Sequence, residues 1–587
     1  MGKHLMVLPV LSLLLLTLGP PTPAQAGTTH SKIRHEELRS RVDFDPQPGA
    51  SGAGSKARST HSALQPLATP SVGPNVRVNA QQQAFPNGLI GRSETTVASS
   101  ADGQLIAVGF NDAQGFCGAP FGAACTPAPN PGLSGFAFST DGGTTFVDRG
   151  VGVFGNVFTR GDPWLDRGGV DAQTFFYANL AVDAKTGADL GVSIHRGHFA
   201  GGDFGFDDVH VLPPTRPGDG LDKEAIAVAK DGTGLGIVSL TNFIQTCNIP
   251  ENGFGQIEVW RTHDGGDTWQ GPVVVSADRT FVTDPADPEC GTSGIRQQSS
   301  VPAIGPNGEV YVTWSFGPTA NPDGTSSTEA LIKVARSLDG GATFEAPVTA
   351  AEINSMRQNP LVGYNRNRIN DHPRIAVATS GPHTGRVFLT FYSAVDTADF
   401  PGNVPCPAGL PAAAICVAQS LISSQAFLSF SDDRGSTWSE PRRIAPRVPE
   451  TGVKELWPVV SVEPTGVVDV TYYESQEVAA PDGSACTVRV SRTPLIFRTG
   501  QAHSFADTFW VQSFDGGSTF SAPTRVTSVT SDWCATFSNV TPNFGDYVGS
   551  VSVDRRVLST WADSRNVLPN LTPNHIADTF YATGFGS

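Results

Sequence analysis

One eight-residue phrase, Ser/Thr-x-Asp-x-Gly-x-Thr-aromatic, occurs five times along this chain and limits what it can fold into. It reads Ser139-x-Asp141-x-Gly143-x-Thr145-Phe146, Thr262-x-Asp264-x-Gly266-x-Thr268-Trp269 and Ser337-x-Asp339-x-Gly341-x-Thr343-Phe344. It returns as Ser431-x-Asp433-x-Gly435-x-Thr437-Trp438 and Ser513-x-Asp515-x-Gly517-x-Thr519-Phe520. The carboxylate can cap backbone N–H groups, the glycine tolerates positive φ, and the closing aromatic gives each turn an apolar anchor. One such turn would be a hairpin. A series of them is a repeat array, in which like units must stack to bury their faces.

Around the phrases runs a shared pattern of a short apolar strand, a turn containing Gly, and an aliphatic strand. It is found at 94–110, 163–180, 224–240, 301–314, 373–392, 458–473 and 547–561. The second unit carries only Ser193-Ile-His195-Arg-Gly197, read as a degenerate copy of the phrase. Ala506-Asp-Thr-Phe-Trp510 is repeated nearly verbatim as Ala577-Asp-Thr-Phe-Tyr581, after which the chain stops one strand short of a full unit. Pro74-Asn-Val-Arg-Val-Asn79 is similar to Pro523-Thr-Arg-Val-Thr527, so the missing strand is expected from the N-terminal end, where it would remove two free sheet edges.

The phrase resembles the Asp-box, or BNR repeat, of the sialidase-like β-propellers. The resemblance implies an all-β fold: a single β-propeller of four-stranded antiparallel blades over residues 74–587. The units favour seven blades, with six as the alternative, closed by the N-terminal strand. Asp-boxes would be third-to-fourth-strand turns on one face. The insertions at 112–133, 243–255, 278–297, 393–424 and 475–505 would lie on the other, where long loops on a rigid scaffold carry function.

Lys3 and His4, the apolar run Leu5 to Leu18 and Ala24-Gln-Ala26 read as a secretory signal over 1–26. Residues 27–73, rich in Ser, Gly, Pro and Ala without periodicity, read as an unstructured lead. A net charge of −16 argues against nucleic acid or an anionic membrane as partner, and no membrane insertion is expected. A secreted monomer acting on a glycan is the expectation. Eight cysteines in such a chain suggest disulfides, for which 117–125, 247–290, 406–416 and 486–534 are favoured. No Cys-x-x-Cys or His-rich spacing points to a metal, and no cofactor is expected.

Residues opening first strands or ending second strands should gather at one mouth: Arg92, Glu94, Asp112, Asp162, Glu224, Asp371, Arg374, Tyr473, Glu474, Asp546, Tyr547, Asp563 and Arg565. An ion-pair ring is the alternative reading of that set. The resemblance implies roles for some of them. Tyr547 looks like the nucleophile, Glu474 its partner and Asp112 the acid/base. Arg92, with Arg489 or Arg492 and with Arg374 or Arg565, would hold a substrate carboxylate. A tyrosine suits an anionic substrate because a carboxylate nucleophile would be repelled, and guanidinium groups match a carboxylate bidentately. Arg92 is followed here by Ser-Glu-Thr where the family has Ile-Pro. Two classes stay open: a secreted exo-sialidase-like glycoside hydrolase, and a non-catalytic propeller that binds glycan or protein.

Overall fold

The computed structural model describes residues 70–586 apart from 82–88, 114–131, 172, 217, 245–253, 277–280, 285–286, 295–296, 318–328, 358, 396–402, 420, 446–451, 492–493 and 570–572. All described residues belong to one compact unit, Phe44–Ser587. Among them the structure is all-β, without an α-helix, and no helix is long and apolar enough to cross a membrane.

The strands form antiparallel four-strand ladders that follow one another along the chain. The first runs Arg92–Ser99, Ile106–Asp112, Ser134–Ser139, Val147–Val151. Later ladders open at Trp164–Gly168, Gly220–Val228, Gln297–Ile304, Arg374–Val377, Val453–Val462 and Gly549–Val553. Second strands such as Val310–Phe316 and Val387–Ala394 are buried at every residue. Covered on both faces, they read as continuous apolar runs rather than alternating ones. Fourth strands such as Val147–Val151 are half-exposed.

Each repeated phrase is the turn between a third and a fourth strand. In the turn at Ser337, the Ser337 hydroxyl donates to Asp339 Oδ1 (2.7 Å) and accepts from Gly341 N–H (2.8 Å). Thr343 donates its N–H to Asp339 Oδ1 (2.9 Å) and its hydroxyl to Oδ2 (2.6 Å). These bonds from Thr343 and Ser337 hold the Asp339 carboxyl down at about 2. The same set of bonds recurs at Asp141, Asp264, Asp433 and Asp515. The glycine is required twice over: Gly341 has φ +84°, and a Cβ there would stand 2.9 Å from Ile237 on the second strand of the preceding ladder. Ser193–Gly197 is a different object. It lies inside the third strand Asp189–Ala200, with the turn at Gly201 and Gly202, and His195 is buried against Phe154 at 4.1 Å and near Tyr177 and Phe206. Its spacing reflects strand alternation into an aromatic core, not a turn.

Opening strands pack on one another in sequence. Arg92–Ser99 touches Trp164–Gly168, and so on through Gly220–Val228, Gln297–Ile304, Arg374–Val377, Val453–Val462 and Gly549–Val553, which touches Arg92–Ser99 again. In the last ladder Gly549–Val553, Arg556–Val567 and His575–Phe585 are followed by Val76–Arg77, with Val76 opposite Tyr581 and Arg77 opposite Phe580. Ser71–Val72, inside the stretch 27–73, also pairs with the last strand, at Phe585 and Gly584.

Disulfides join Cys406 to Cys416 and Cys486 to Cys534, as expected. Pairings 117–125 and 247–290 lie outside the described residues, as does the 1–26 signal. Between second and third strands, Cys486–Ser491 and Ile496–Gly500 form a hairpin. It is extended by parallel pairing with Ile415–Ala418 from the corresponding segment of the neighbouring ladder.

Candidate functional site

The opening strands share a local irregularity that aims side chains where these strands meet. Pairing shifts between Ser93 and Thr96, Asp222 and Ala225, Gln298 and Val301, and Leu456 and Val459. At those bulges Glu94, Lys223, Ser299 and Trp457 have positive φ (51°, 52°, 64° and 50°), and Asp162, just before Trp164, has φ 54°. Left-handed non-glycine residues cost about 1–3 kcal/mol each and persist where the surroundings over-determine them.

Three of these strained residues form one buried ionic cluster. Lys223 Nζ lies 3.0 Å from Glu94, 2.9 Å from Asp162 and 3.2 Å from Asp546. Asp546 also accepts from Tyr364 (2.8 Å), Arg366 (2.8 Å) and Asn370 (3.0 Å), all from the segment joining Val348–Asn354 to Arg374–Val377. That segment is strapped down by Asn365 and Asn543, whose amides bond across to Val540 and Gly363 carbonyls.

Environment splits the acids. Burial works against the charge of Asp162, but Lys223 and hydrogen bonds from Glu94 and Asp222 outweigh it and hold its carboxyl below the usual range. Arg366 and Lys223 do the same for Asp546. Burial and the Asp162 charge push Glu224 well up, and burial raises Glu94 despite Lys223. Asp222 is pushed to about 6 by burial and Asp162. Beyond its own backbone N–H, the buried Glu224 carboxyl has no hydrogen-bond partner among the described residues.

Tyr547 stands beside this cluster. Its hydroxyl donates to the Pro163 carbonyl (3.0 Å), and Trp164, His372, Arg374 and Lys223 surround the ring. Burial raises its phenol well above 10, followed by the charges of Glu94, Asp162 and Glu224. Arg374 lies 4.1 Å from the Trp164 ring centre and 5.3 Å from that of Tyr547. No carboxylate pairs with it among the described residues, its Nη1 has no partner, and burial lowers it to about 9. Burial and Arg374 together keep His372 neutral.

The remaining sequence-predicted residues lie elsewhere in the contact network. Arg92 pairs with Asp112 (3.3 Å), directly opposite it in the ladder, and reaches Asp578 at 3.8 Å. Glu474 sits opposite Glu455 and Asp507 in its own ladder and is not among the groups that dominate the titration of Tyr547. Its neighbour Tyr473 accepts from the Trp533 indole (2.8 Å). Arg489 is exposed on Cys486–Ser491 and donates to Ser491 O (3.3 Å), and Arg492 lies outside the described residues. Arg565 pairs with Asp563 (2.6 Å) and donates to Asn75, tying the N-terminal strand to the last ladder. Asp371 binds Ser355 and the Met356 amide.

Sequence reasoning missed Lys223, Tyr364 and Arg366. The signal for Lys223 was its position between Asp222 and Glu224 at the start of an opening strand. One further group brings metal-type ligands within 4.8 Å, His503, Asp532 and Cys534, but the Cys534 sulfur is bonded to Cys486.

No protein family matches the sequence, and no curated protein does. Among solved structures the chain is similar to a protein of unknown function from Dyadobacter fermentans (14% identity, 88% of this chain and 99% of that one, TM-score 0.38). It is also similar to an α-L-arabinofuranosidase of Fusarium graminearum solved with arabinobiose (12%, 68% and 92%, TM-score 0.37). A third is the leech intramolecular trans-sialidase (10%, 87% and 86%, TM-score 0.33). At these scores none of the three assigns an activity to this chain.

Proposed function

We propose that this chain is a secreted glycoside hydrolase on a seven-bladed β-propeller, working where the opening strands meet. The reading of seven blades rests on the succession of four-strand ladders and on the cyclic packing of their opening strands. Closure rests on the pairing of Val76–Arg77 with the last strand.

The observation that carries the catalytic reading is the splitting of carboxyl groups around Tyr547. Glu224 is held protonated and Asp162 ionised, beside a phenol and a guanidinium that no carboxylate among the described residues neutralises. Paired acids pushed apart by their surroundings are how a glycosidase obtains a proton donor and a base at one pH. Tyr547 attacks the anomeric carbon while Asp162 takes the phenolic proton. The glycosidic C–O bond breaks as Glu224 gives its proton to the leaving oxygen, and water then releases the sugar from Tyr547. Arg374 holds an acidic group of the sugar. The acid role expected of Asp112 and the partner role expected of Glu474 pass to Glu224 and Asp162 in this reading, because these charges reach Tyr547.

The test is a panel of chromogenic glycosides, including a sialoside. Turnover lost in both Tyr547→Phe and Glu224→Gln, with folding retained, supports the reading, and full activity of Tyr547→Phe removes Tyr547 as nucleophile. A second reading is a non-catalytic binding propeller. It is favoured by the burial of Tyr547, only 2% exposed, and by the hydrogen bond its hydroxyl already makes to Pro163. That reading expects retention on a glycan array with no turnover of any substrate.

A further inference from the structure

Away from the Tyr547 cluster, a serine, a histidine and an aspartate stand in the order an acyl-transfer site requires. Ser484 lies in the turn after Val468–Ala479, His503 near the start of Ala502–Ser513, and Asp532 in the link before the last ladder. Asp532 Oδ2 accepts from His503 Nδ1 at 2.9 Å, and His503 Nε2 lies 3.3 Å from Ser484 Oγ. An ionised carboxylate only accepts, so Nδ1 carries the proton and Nε2 is the nitrogen turned to the serine. Several constraints hold this order. Asp532 Oδ1 accepts from the Cys534 and Ala535 amides (2.9 and 3.4 Å). His503 is 5% exposed and stacks on Phe505 at 6.0 Å. The disulfide Cys486–Cys534 joins the residues two beyond Ser484 and two beyond Asp532.

Ser484 is half-buried, and Asp482, Gly483 and Ala485 around it are exposed, so the turn faces solvent. The Ser484 hydroxyl donates to Asp482 Oδ1 at 2.6 Å, and this bond, with that from the Ser484 amide, holds the Asp482 carboxyl below its usual range. Among the described residues the Ala485 N–H, next along the chain, makes no hydrogen bond. An N–H just after a nucleophile is one of the donors that can steady a developing oxyanion. We propose that Ser484, His503 and Asp532 form a second catalytic site, which hydrolyses neutral carboxylic esters with a small acyl group. The Ser484 hydroxyl turns from Asp482 to His503 Nε2, gives up its proton there and attacks the acyl carbon. The C–O bond to the alcohol breaks, the leaving oxygen takes the proton from Nε2, and an acyl ester on Ser484 remains. Water then attacks that ester while losing a proton to Nε2, the carboxylic acid departs, and Ser484 recovers its proton. Asp532 acts through His503 as a positioning residue. The ionised Asp482 beside the nucleophile disfavours anionic esters, and the exposed turn favours a short acyl chain.

This site does not rest on the glycosidase reading, since its substrates are esters rather than glycosides. The full chain is assayed with p-nitrophenyl acetate and treated with a fluorophosphonate, which loses fluoride as it forms a P–O bond to an activated serine. The expected result is an adduct on the peptide that holds Ser484, absent from the urea-unfolded chain and from Ser484→Ala. Ester turnover should fall by about 100-fold or more in Ser484→Ala and in His503→Gln, the scale of general-base help alone. Asp532→Asn, with its melting curve retained, should lower kcat and leave KM nearly unchanged, and an unchanged kcat removes Asp532 from the site. A folded parent that takes no label at Ser484 overturns the proposal, as does hydrolysis by Ser484→Ala at the parent rate. His503 is buried, so if His503→Gln does not fold, the position of the label and Ser484→Ala, a change in an exposed turn, decide.

Discussion

The Lys223 ammonium lies 3.2 Å from the Asp546 carboxylate, although one belongs to the strand Gly220–Val228 and the other to the turn before the last ladder. The same ammonium holds Glu94 and Asp162. One cation therefore neutralises acids from three separate ladders, and Arg366 shares the load at Asp546.

Replacing Lys223 by Met strands those acids without their common partner. Removing one member of a buried ionic group typically costs about 3–5 kcal/mol. The urea midpoint of Lys223→Met should fall accordingly, whereas Lys230→Met, which removes a half-exposed ammonium 3.5 Å from Asp166, should leave it nearly unchanged.

Tyr547→Phe removes one hydroxyl and its bond to Pro163. The stability cost should be only about 1 kcal/mol. Circular dichroism and the melting curve should be near those of the parent, which separates any loss of turnover from loss of fold.

His195 makes stability fall in acid. Burial lowers its imidazole from 6.5 to about 3, so it is neutral in the folded protein near pH 7 and must take up a proton more readily once unfolded. A group depressed in this way contributes stability that is present above about 6.5 and lost as pH falls towards 3, at up to about 1.4 kcal/mol per pH unit. Glu463, raised to about 7 by burial and Asp469, acts in the opposite sense over part of that window. The check is therefore a difference: stability of the parent minus that of His195→Gln should decline between about pH 6.5 and pH 4.

The two disulfides should differ in worth. Cys486–Cys534 closes a separation of 48 residues and Cys406–Cys416 one of 10. Loop entropy gives about 4 and about 3 kcal/mol respectively. Replacing each pair by Ala and measuring denaturant midpoints should rank them in that order.

Asp339→Ala deletes an acceptor of three local bonds in one turn. Because the turn is exposed, the loss should be about 1 kcal/mol and should shrink below about pH 2, where the parent carboxyl is itself protonated. Melting curves of the two proteins converging in strong acid would bear this out.

The repeated turns were legible because their physics is local. The Ser or Thr hydroxyl, the Asp carboxylate, the glycine and the Thr of each phrase bond to one another within a few residues, so spacing alone contains the geometry. Short cysteine separations carried the 406–416 pair for the same reason. The partner of Val76–Arg77 was legible through a duplicated Ala-Asp-Thr-Phe phrase that exposed the missing strand. At Ser193–Gly197 the same approach misread a strand as a turn, because Ser, His and Gly also suit alternation into an aromatic core. The site was only half legible. Glu94, Asp162, Glu224, Asp546 and Tyr547 were placed among one set of residues by strand polarity, and the structure gathers them. Lys223 and Arg366 were not among them. Where a side chain points after a bulge depends on positive φ at Lys223, and the contact of Arg366 with Asp546 depends on a strap, Asn365 to Asn543, that no local spacing encodes.

The pairing of Val76 with Tyr581 sets an order of events during synthesis. The strand that completes the last ladder lies far ahead of its partner His575–Phe585 in the chain, so it leaves the ribosome well before it. Until His575–Phe585 has been made, residues 71–79 lack the sheet edge they pair with. Completion of that ladder therefore waits on synthesis of all the ladders between, and a nascent chain stalled short of residue 575 would carry an orphaned strand at 71–79.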